Sequence, residues 1–148
     1  MIATHTEEFT SNDVSAALHV SLRQLQWWDE RSVVRPTHRG HRRFYSESDT
    51  IAVAAVSALR DREMSLHKIR RCLRKLKADL EPIATDVFAG DTVFLVIPLD
   101  AKFLTVTQDR EHAFDAVLGS RKPVIVIELG PLVRRVLALP ERPKKVRW

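Results

Sequence analysis

The stretch SLRQLQWWDERSVVRPTHRGHRRFY, residues 21–45, decides how this chain folds. Ser21 and Gln24 stand three apart, the spacing of a capping box, in which a hydroxyl and an amide each satisfy a backbone N–H at a helix start. The spacing predicts a helix over 22–31 with Leu25 and Trp28 facing inward. Pro36 and Gly40 then punctuate the chain, and Phe44-Tyr45 favours extended backbone. From Arg31 to Tyr45 the chain carries Arg31, Arg35, Arg39, Arg42 and Arg43 and no acidic residue.

Working outward, Thr10 and Asp13 form an acidic version of the same box, with Phe9 where a hydrophobic staple would sit. Val14, Ala17 and Leu18 give a short helix its apolar face, and His19-Val20 is a tight break before Ser21. Downstream, Asp49 can cap a third helix that buries Val53, Val56 and Leu59. Ser65 can cap a fourth that buries Leu66, Ile69 and Leu73, with Lys68, Arg70, Arg71, Arg74, Lys75 and Lys77 mostly outward. Helix, three-residue turn, helix and basic extended segment, in that order, describe a helix-turn-helix followed by a wing. The second helix of such a unit fits the major groove with its N-terminal residues near base edges. Arginine pairs bidentately with guanine and glutamine with adenine, so Arg23, Gln24 and Gln26 suit direct readout, with Ser21 beside them. The arginine-dense loop suits phosphate clamping or entry into the minor groove.

The composition changes at Glu81-Pro82. Beyond it stand the β-branched runs Thr92–Ile97, Phe103–Thr107 and Val124–Ile127, and Pro98–Lys102 is long enough to connect the first two as a hairpin. Asp109 can cap a short helix through Leu118, and Gly130-Pro131 opens a last helix through Leu139. The reading is an α+β chain: a four-helix winged helix-turn-helix domain over 1–80, a small strand-rich α+β module over 81–140 for dimerisation or partner binding, and a basic tail over 141–148.

At 148 residues, 45% hydrophobic and 29% charged, the chain can build a core. The longest run without charge or proline, Thr50–Leu59, is far short of the roughly 20 residues that span a bilayer. Met1–Thr10 lacks the pattern of a signal peptide, so a cytoplasmic location is expected and no membrane contact. A lone cysteine, Cys72, at helical spacing on an apolar face reads as core, and the six histidines form no ligand pair on one helix face. No metal or cofactor is implied. No P-loop, G-x-S-x-G, G-x-G-x-x-G or H-E-x-x-H motif is present, so the chain does not read as an enzyme. The net charge of +5 divides as +4 over 1–80, −2 over 81–140 and +3 over the last eight residues. Basic clusters attract polyanions by counterion release, which points to nucleic acid on the first half.

Phe9-Thr10-x-x-Asp13-Val14, Val20-Ser21, Leu25-Gln26-Trp27-Trp28-Asp29-Glu30, Pro36, Gly40-His41-Arg42-Arg43-Phe44-Tyr45, Ser46-x-x-Asp49 and Met64-Ser65-Leu66-x-x-Ile69 together resemble the MerR family of winged-helix transcription regulators over residues 9–76. The resemblance implies a dimeric, sequence-specific regulator of double-stranded DNA. Its contacts would come from Ser21, Arg23, Gln24, Gln26 and Trp27 on the recognition helix and from Arg39, His41, Arg42 and Arg43 on the wing. Tyr45 would anchor the wing or touch phosphate. Three departures stand out. The family usually reads Leu-Arg-Tyr-Tyr-Asp where this chain has Leu25-Gln26-Trp27-Trp28-Asp29. The cysteines of metal- and redox-sensing members are missing. Pro82 ends the fourth helix before a long coiled-coil helix can form. The second half is loosely similar to winged-helix antitoxins, which leaves an alternative: an antitoxin that represses its own operon and holds a toxin protein through residues 81–140.

Overall fold

Three of the helices begin with the same reciprocal bond. In the computed structural model, which describes residues 7–138, Thr10 caps α1 (Ser11–Leu18), Ser21 caps α2 (Leu22–Glu30), and Ser46 caps α3 (Glu47–Asp61). Each hydroxyl accepts the backbone N–H three residues on, and the side chain of Asp13, Gln24 or Asp49 accepts the cap's own N–H at 3.0–3.1 Å. Such a cap contributes about 1 kcal/mol to each helix start. Asp49, expected to cap α3, is therefore the third helical residue of a box that Ser46 opens. The sequence Ser46-x-x-Asp49 allows both, and the chain takes the one that satisfies two donors. Ser65 caps α4 (Leu66–Leu80) as expected.

The turn from α1 to α2 passes through His19, whose left-handed φ of 55° lets α1 stop within one residue. Strand β1 (Phe9–Thr10) precedes α1, where the residues alone give no strand signal. It pairs antiparallel with β3 (Arg42–Tyr45), which pairs on its other side with β2 (Thr37–Arg39). After α4 the chain does not pass directly to strands. Pro82, which has no N–H to offer, sits in the first turn of a 3-10 segment (Glu81–Ile83), and a short α5 (Ala84–Phe88) follows. A second antiparallel sheet has β4 (Phe94–Pro98) at its centre, flanked by β5 (Thr105–Thr107) and β6 (Val124–Glu128). Between them, Asp109 caps α6 (Arg110–Gly119), as its place in the sequence predicts. The last helix, α7 (Gly130–Arg134), is shorter than expected; turns follow to Ala138, and Leu139 and the basic tail lie outside the described residues.

Helix α3 holds both halves together. Its spacing predicts a single face of Val53, Val56 and Leu59, yet Ile51, Ala52, Ala54 and Ala55 are buried as well, so α3 is covered nearly all round. One continuous core runs from Phe9 and Val14 through α3 to Leu95, Ile127 and Val133. Phe9 stacks on Phe88 with centroids 5.5 Å apart, joining β1 to α5. At the start of α3 the buried Glu47 accepts the Thr85 hydroxyl at 2.9 Å, and the Ser48 hydroxyl donates to Glu81 at 2.7 Å. Cys72 lies in this core. Burial pushes its thiol above the ordinary range, and the thiol donates to the Ile69 carbonyl.

Because the Phe9–Phe88 stack spans the two halves of the chain, Phe88→Ala should remove about 3 kcal/mol of stability. Urea unfolding followed by tryptophan fluorescence and by far-UV circular dichroism should shift by the same amount. Two separated transitions would show that the halves do not share a core.

Candidate nucleic-acid interface

Helix α2 divides cleanly into two sides. Leu25, Trp28 and Asp29 are buried, while Ser21, Leu22, Arg23, Gln24, Gln26 and Trp27 are exposed. The exposed side is the one a groove could receive. Arg23 stands there with no ion pair among the described residues. The two glutamines are engaged within the helix. Gln24 gives its carbonyl oxygen to the cap, and the Gln26 amide donates to Glu30 at 3.0 Å. Bidentate pairing to adenine needs both ends of an amide, so each would have to release one bond to read a base. Trp27 is half-exposed and carries the Arg31 guanidinium stacked on its ring, 3.9 Å from the centroid. Stacking of that kind fixes a long side chain at little entropic cost.

The chain leaves α2 through a tight turn in which the backbone N–H groups of Val33 and Val34 both donate to the Trp28 carbonyl. It then enters the β2–β3 hairpin, where Thr37 faces Phe44 and Arg39 faces Arg42 across the ladder. Gly40, with φ of 64°, takes the first position of the two-residue turn, where a side chain would be strained. The hairpin puts four basic side chains near its tip, and they differ in freedom. Arg42 and His41 are exposed. Arg39 pairs with Glu8 at 2.6 Å and, with Arg42, lies over the Phe44 ring at 4.0 and 5.5 Å. The Arg39–Glu8 pair is exposed and so weakly held.

Arg43 points the other way. Its Nε donates to Asp29 Oδ2 at 2.6 Å, and His38 Nε2 donates to the same oxygen at 2.6 Å. Asp29 is only 4% exposed, so this carboxylate depends on both partners. It ties the end of α2 to both strands of the hairpin and sets one against the other. Sequence reading missed this role for Asp29 and His38. The signal available was a single acid on the buried side of α2, followed by an acid-free basic segment.

Tyr45, assigned to anchor the hairpin or touch phosphate, has no exposed surface. Its side chain is enclosed in the core at the end of β3. Its hydroxyl is buried beside Ser11. Burial pushes its pKa up to about 12, against the opposing charge of Arg43.

A further basic surface lies beside this unit. Arg35, His67, Arg70, Arg71, Arg74 and Lys77 line a groove of about 500 Å³ between the segment after α2 and the exposed side of α4, with no acidic residue on its wall. Lys77 leans on Asp49 at 3.7 Å, whereas Arg70, Arg71 and Arg74 have no ion pair among the described residues. Their spacing along α4 marked them as outward; that they share a concavity with Arg35 could not be read from spacing.

The model of the MerR HTH family regulatory proteins matches residues 9–76, from β1 into α4. That segment is of MerR helix-turn-helix type, and the match supports a DNA-binding transcription regulator. No curated protein matches the chain. No helix among the described residues is long and apolar enough to cross a membrane.

Two outcomes are expected from this geometry. Arg43→Ala leaves the buried Asp29 carboxylate with His38 alone and should cost about 2 kcal/mol in a urea denaturation; an unchanged midpoint would mean the pair does not pin the hairpin. Tyr45 ionises near 10.0 when unfolded and near 12 when folded, so the folded state holds its proton. That contribution is complete below pH 10 and is lost as the pH climbs to 12. Tyr45→Phe should flatten the alkaline loss of stability over that interval and change neutral stability by no more than about 1 kcal/mol.

Proposed function

We propose that the chain is a dimeric, sequence-specific transcription regulator of the winged helix-turn-helix kind, reading double-stranded DNA with α2 and gripping its backbone with the β2–β3 hairpin as a wing. The observation that carries this reading is the Asp29 junction. A buried carboxylate fixes an exposed, reader-like helix side and a basic hairpin in one relative position, as two elements meeting adjacent parts of one duplex require.

Within it, Arg23 is the base reader best suited to guanine, because its guanidinium is exposed and has no ion pair among the described residues. Gln24 and Gln26 contribute through the amide ends left free, and Ser21 and Trp27 contact the backbone beside them. His41 and Arg42 take phosphates at the tip, Arg39 joins them by releasing Glu8, and Arg43 acts by positioning. The groove of Arg35, Arg70, Arg71 and Arg74 extends the phosphate-binding surface. The reading in which the second half holds a toxin draws on the exposed apolar residues Phe114 and Leu118 of α6.

The test is a footprint of the purified protein on the DNA upstream of its own coding sequence at two salt concentrations. A bounded site that persists at the higher salt is expected. Arg42→Ala should weaken binding to all sequences and lower the salt slope by about one, whereas Arg23→Ala should cost about 1–3 kcal/mol at one base pair and relax preference there. Diffuse protection that salt abolishes, or identical behaviour of the two variants, would sink the division between reading and gripping.

A further inference from the structure

The arginines of the described residues fall into two sets. Arg39 and Arg43 pair with acids, Arg31, Arg42 and Arg110 lie over aromatic rings, and Arg60, Arg62 and Arg134 donate to backbone carbonyls. The second set has no ion pair, hydrogen bond or ring contact among the described residues. Arg23 of this set belongs to α2, and Arg121 and Arg135 belong to the second half. The other four, Arg35, Arg70, Arg71 and Arg74, all line the groove of about 500 Å³ beside α4.

The cations of α4 are sorted by kind. Lys68 donates to the Leu99 carbonyl at 3.2 Å, Lys75 pairs with Asp79, and Lys77 meets Asp49 at 3.7 Å. Each lysine is thus used within the molecule, and each arginine is kept for the groove. Arg70 and Arg74 stand four residues apart and Arg71 and Arg74 three, spacings at which like charges on a helix oppose folding. Arg35 adds a further guanidinium from the opposite wall, and no acidic residue lines the groove to offset it. The crowding is relieved only by an anion from outside. A concavity of this size lies within the range of small-molecule sites, and its apolar lining, Val33 and Leu73, is buried and brings no competing charge. One phosphate group carries about −1.5 to −2 near neutral pH, so four guanidiniums are matched by two or three phosphates in a chain. Guanidinium also binds phosphate oxygens bidentately, which an ammonium does not.

We propose that this groove is the site of a free linked polyphosphate, the phosphate chain of a nucleoside di- or triphosphate, which competes with the DNA backbone for the same arginines. The inference rests on the DNA-binding function proposed above and gives that surface a regulator. The test is calorimetric titration of the full chain, without DNA, with inorganic tripolyphosphate at ionic strength held constant with sodium chloride. Saturable binding at one site per chain is expected. Changing Arg71→Ala together with Arg74→Ala should weaken it by about tenfold or more. Changing Arg121→Ala together with Arg135→Ala, which removes the same charge elsewhere, should leave it unchanged. Tripolyphosphate should raise the Tm of the unmodified protein and not that of the groove variant. Without ligand the groove variant should melt no lower than the unmodified protein, because its like charges are relieved. In a DNA titration of the unmodified protein, tripolyphosphate should displace the duplex where sodium chloride of equal ionic strength does not. Equal losses in the two double variants would mean diffuse attraction and strike out the site. Absent tripolyphosphate binding, with DNA binding weakened in the groove variant, would give these arginines to DNA alone and overturn the free ligand. Tripolyphosphate bound beside an undisturbed duplex would overturn the competition. A footprint taken without tripolyphosphate judges DNA recognition separately.

Discussion

A helix buried nearly all round has little face to offer water, and α3 is such a helix from Glu47 to Val56. Ile51, Val53 and Val56 are enclosed along with Ala52, Ala54 and Ala55, so elements must pack on opposite sides of it. The helix-turn-helix and its hairpin supply one cover. The segment from α5 to α7 supplies the other, against the small side chains that allow close approach. The polar residues at the start of α3 obey the same logic: Glu47 and Ser48, taken from water, are each matched by a side chain from the second half. The residues on either side of the change in composition at Glu81-Pro82 thus share one core.

The geometry of the candidate interface hangs on a smaller feature. Asp29 sits near the end of α2, on the side away from Arg23, and draws in a side chain from each strand of the hairpin. The hairpin's angle to α2 is then set by a charge-assisted junction rather than by loop length. Arginines that would otherwise be alike become different. Arg43 is committed inward, Arg39 is held loosely by Glu8, and Arg42 has, among the described residues, an aromatic ring beneath it and no ion pair.

Much of this is legible in the residues because the signals are local. Capping boxes at Thr10 and Ser21, the proline and glycine around the hairpin, and Asp109 before α6 each concern groups close together along the chain. Where two local readings compete, as for Asp49 and Ser46, the reciprocal bond prevails. What escapes is long-range. Nothing near Phe9 announces a strand, since β1 exists only because β3 offers an edge far along the chain, at Phe44 and Tyr45. The second apolar side of α3 is present in the run Thr50–Leu59, but its meaning depends on α5 and α7, which spacing alone does not place against it. At the interface, α2's exposed side can be read from periodicity, whereas the burial of Tyr45 and the sharing of Asp29 require the hairpin to be folded first.

The double cladding of α3 also bears on how such a chain can change over evolutionary time. In a regulator built as beads on a string, a sensing module can be traded for another because the connector carries no core. Here a replacement for residues beyond α4 would inherit an exposed stripe of alanine and isoleucine, polar groups shaped for vanished partners, and Phe9 with no ring to rest on. It would have to arrive already matched to that surface. The second half is in this sense bound by lineage to the helix it covers, and its sequence should drift in step with α3 rather than independently of it.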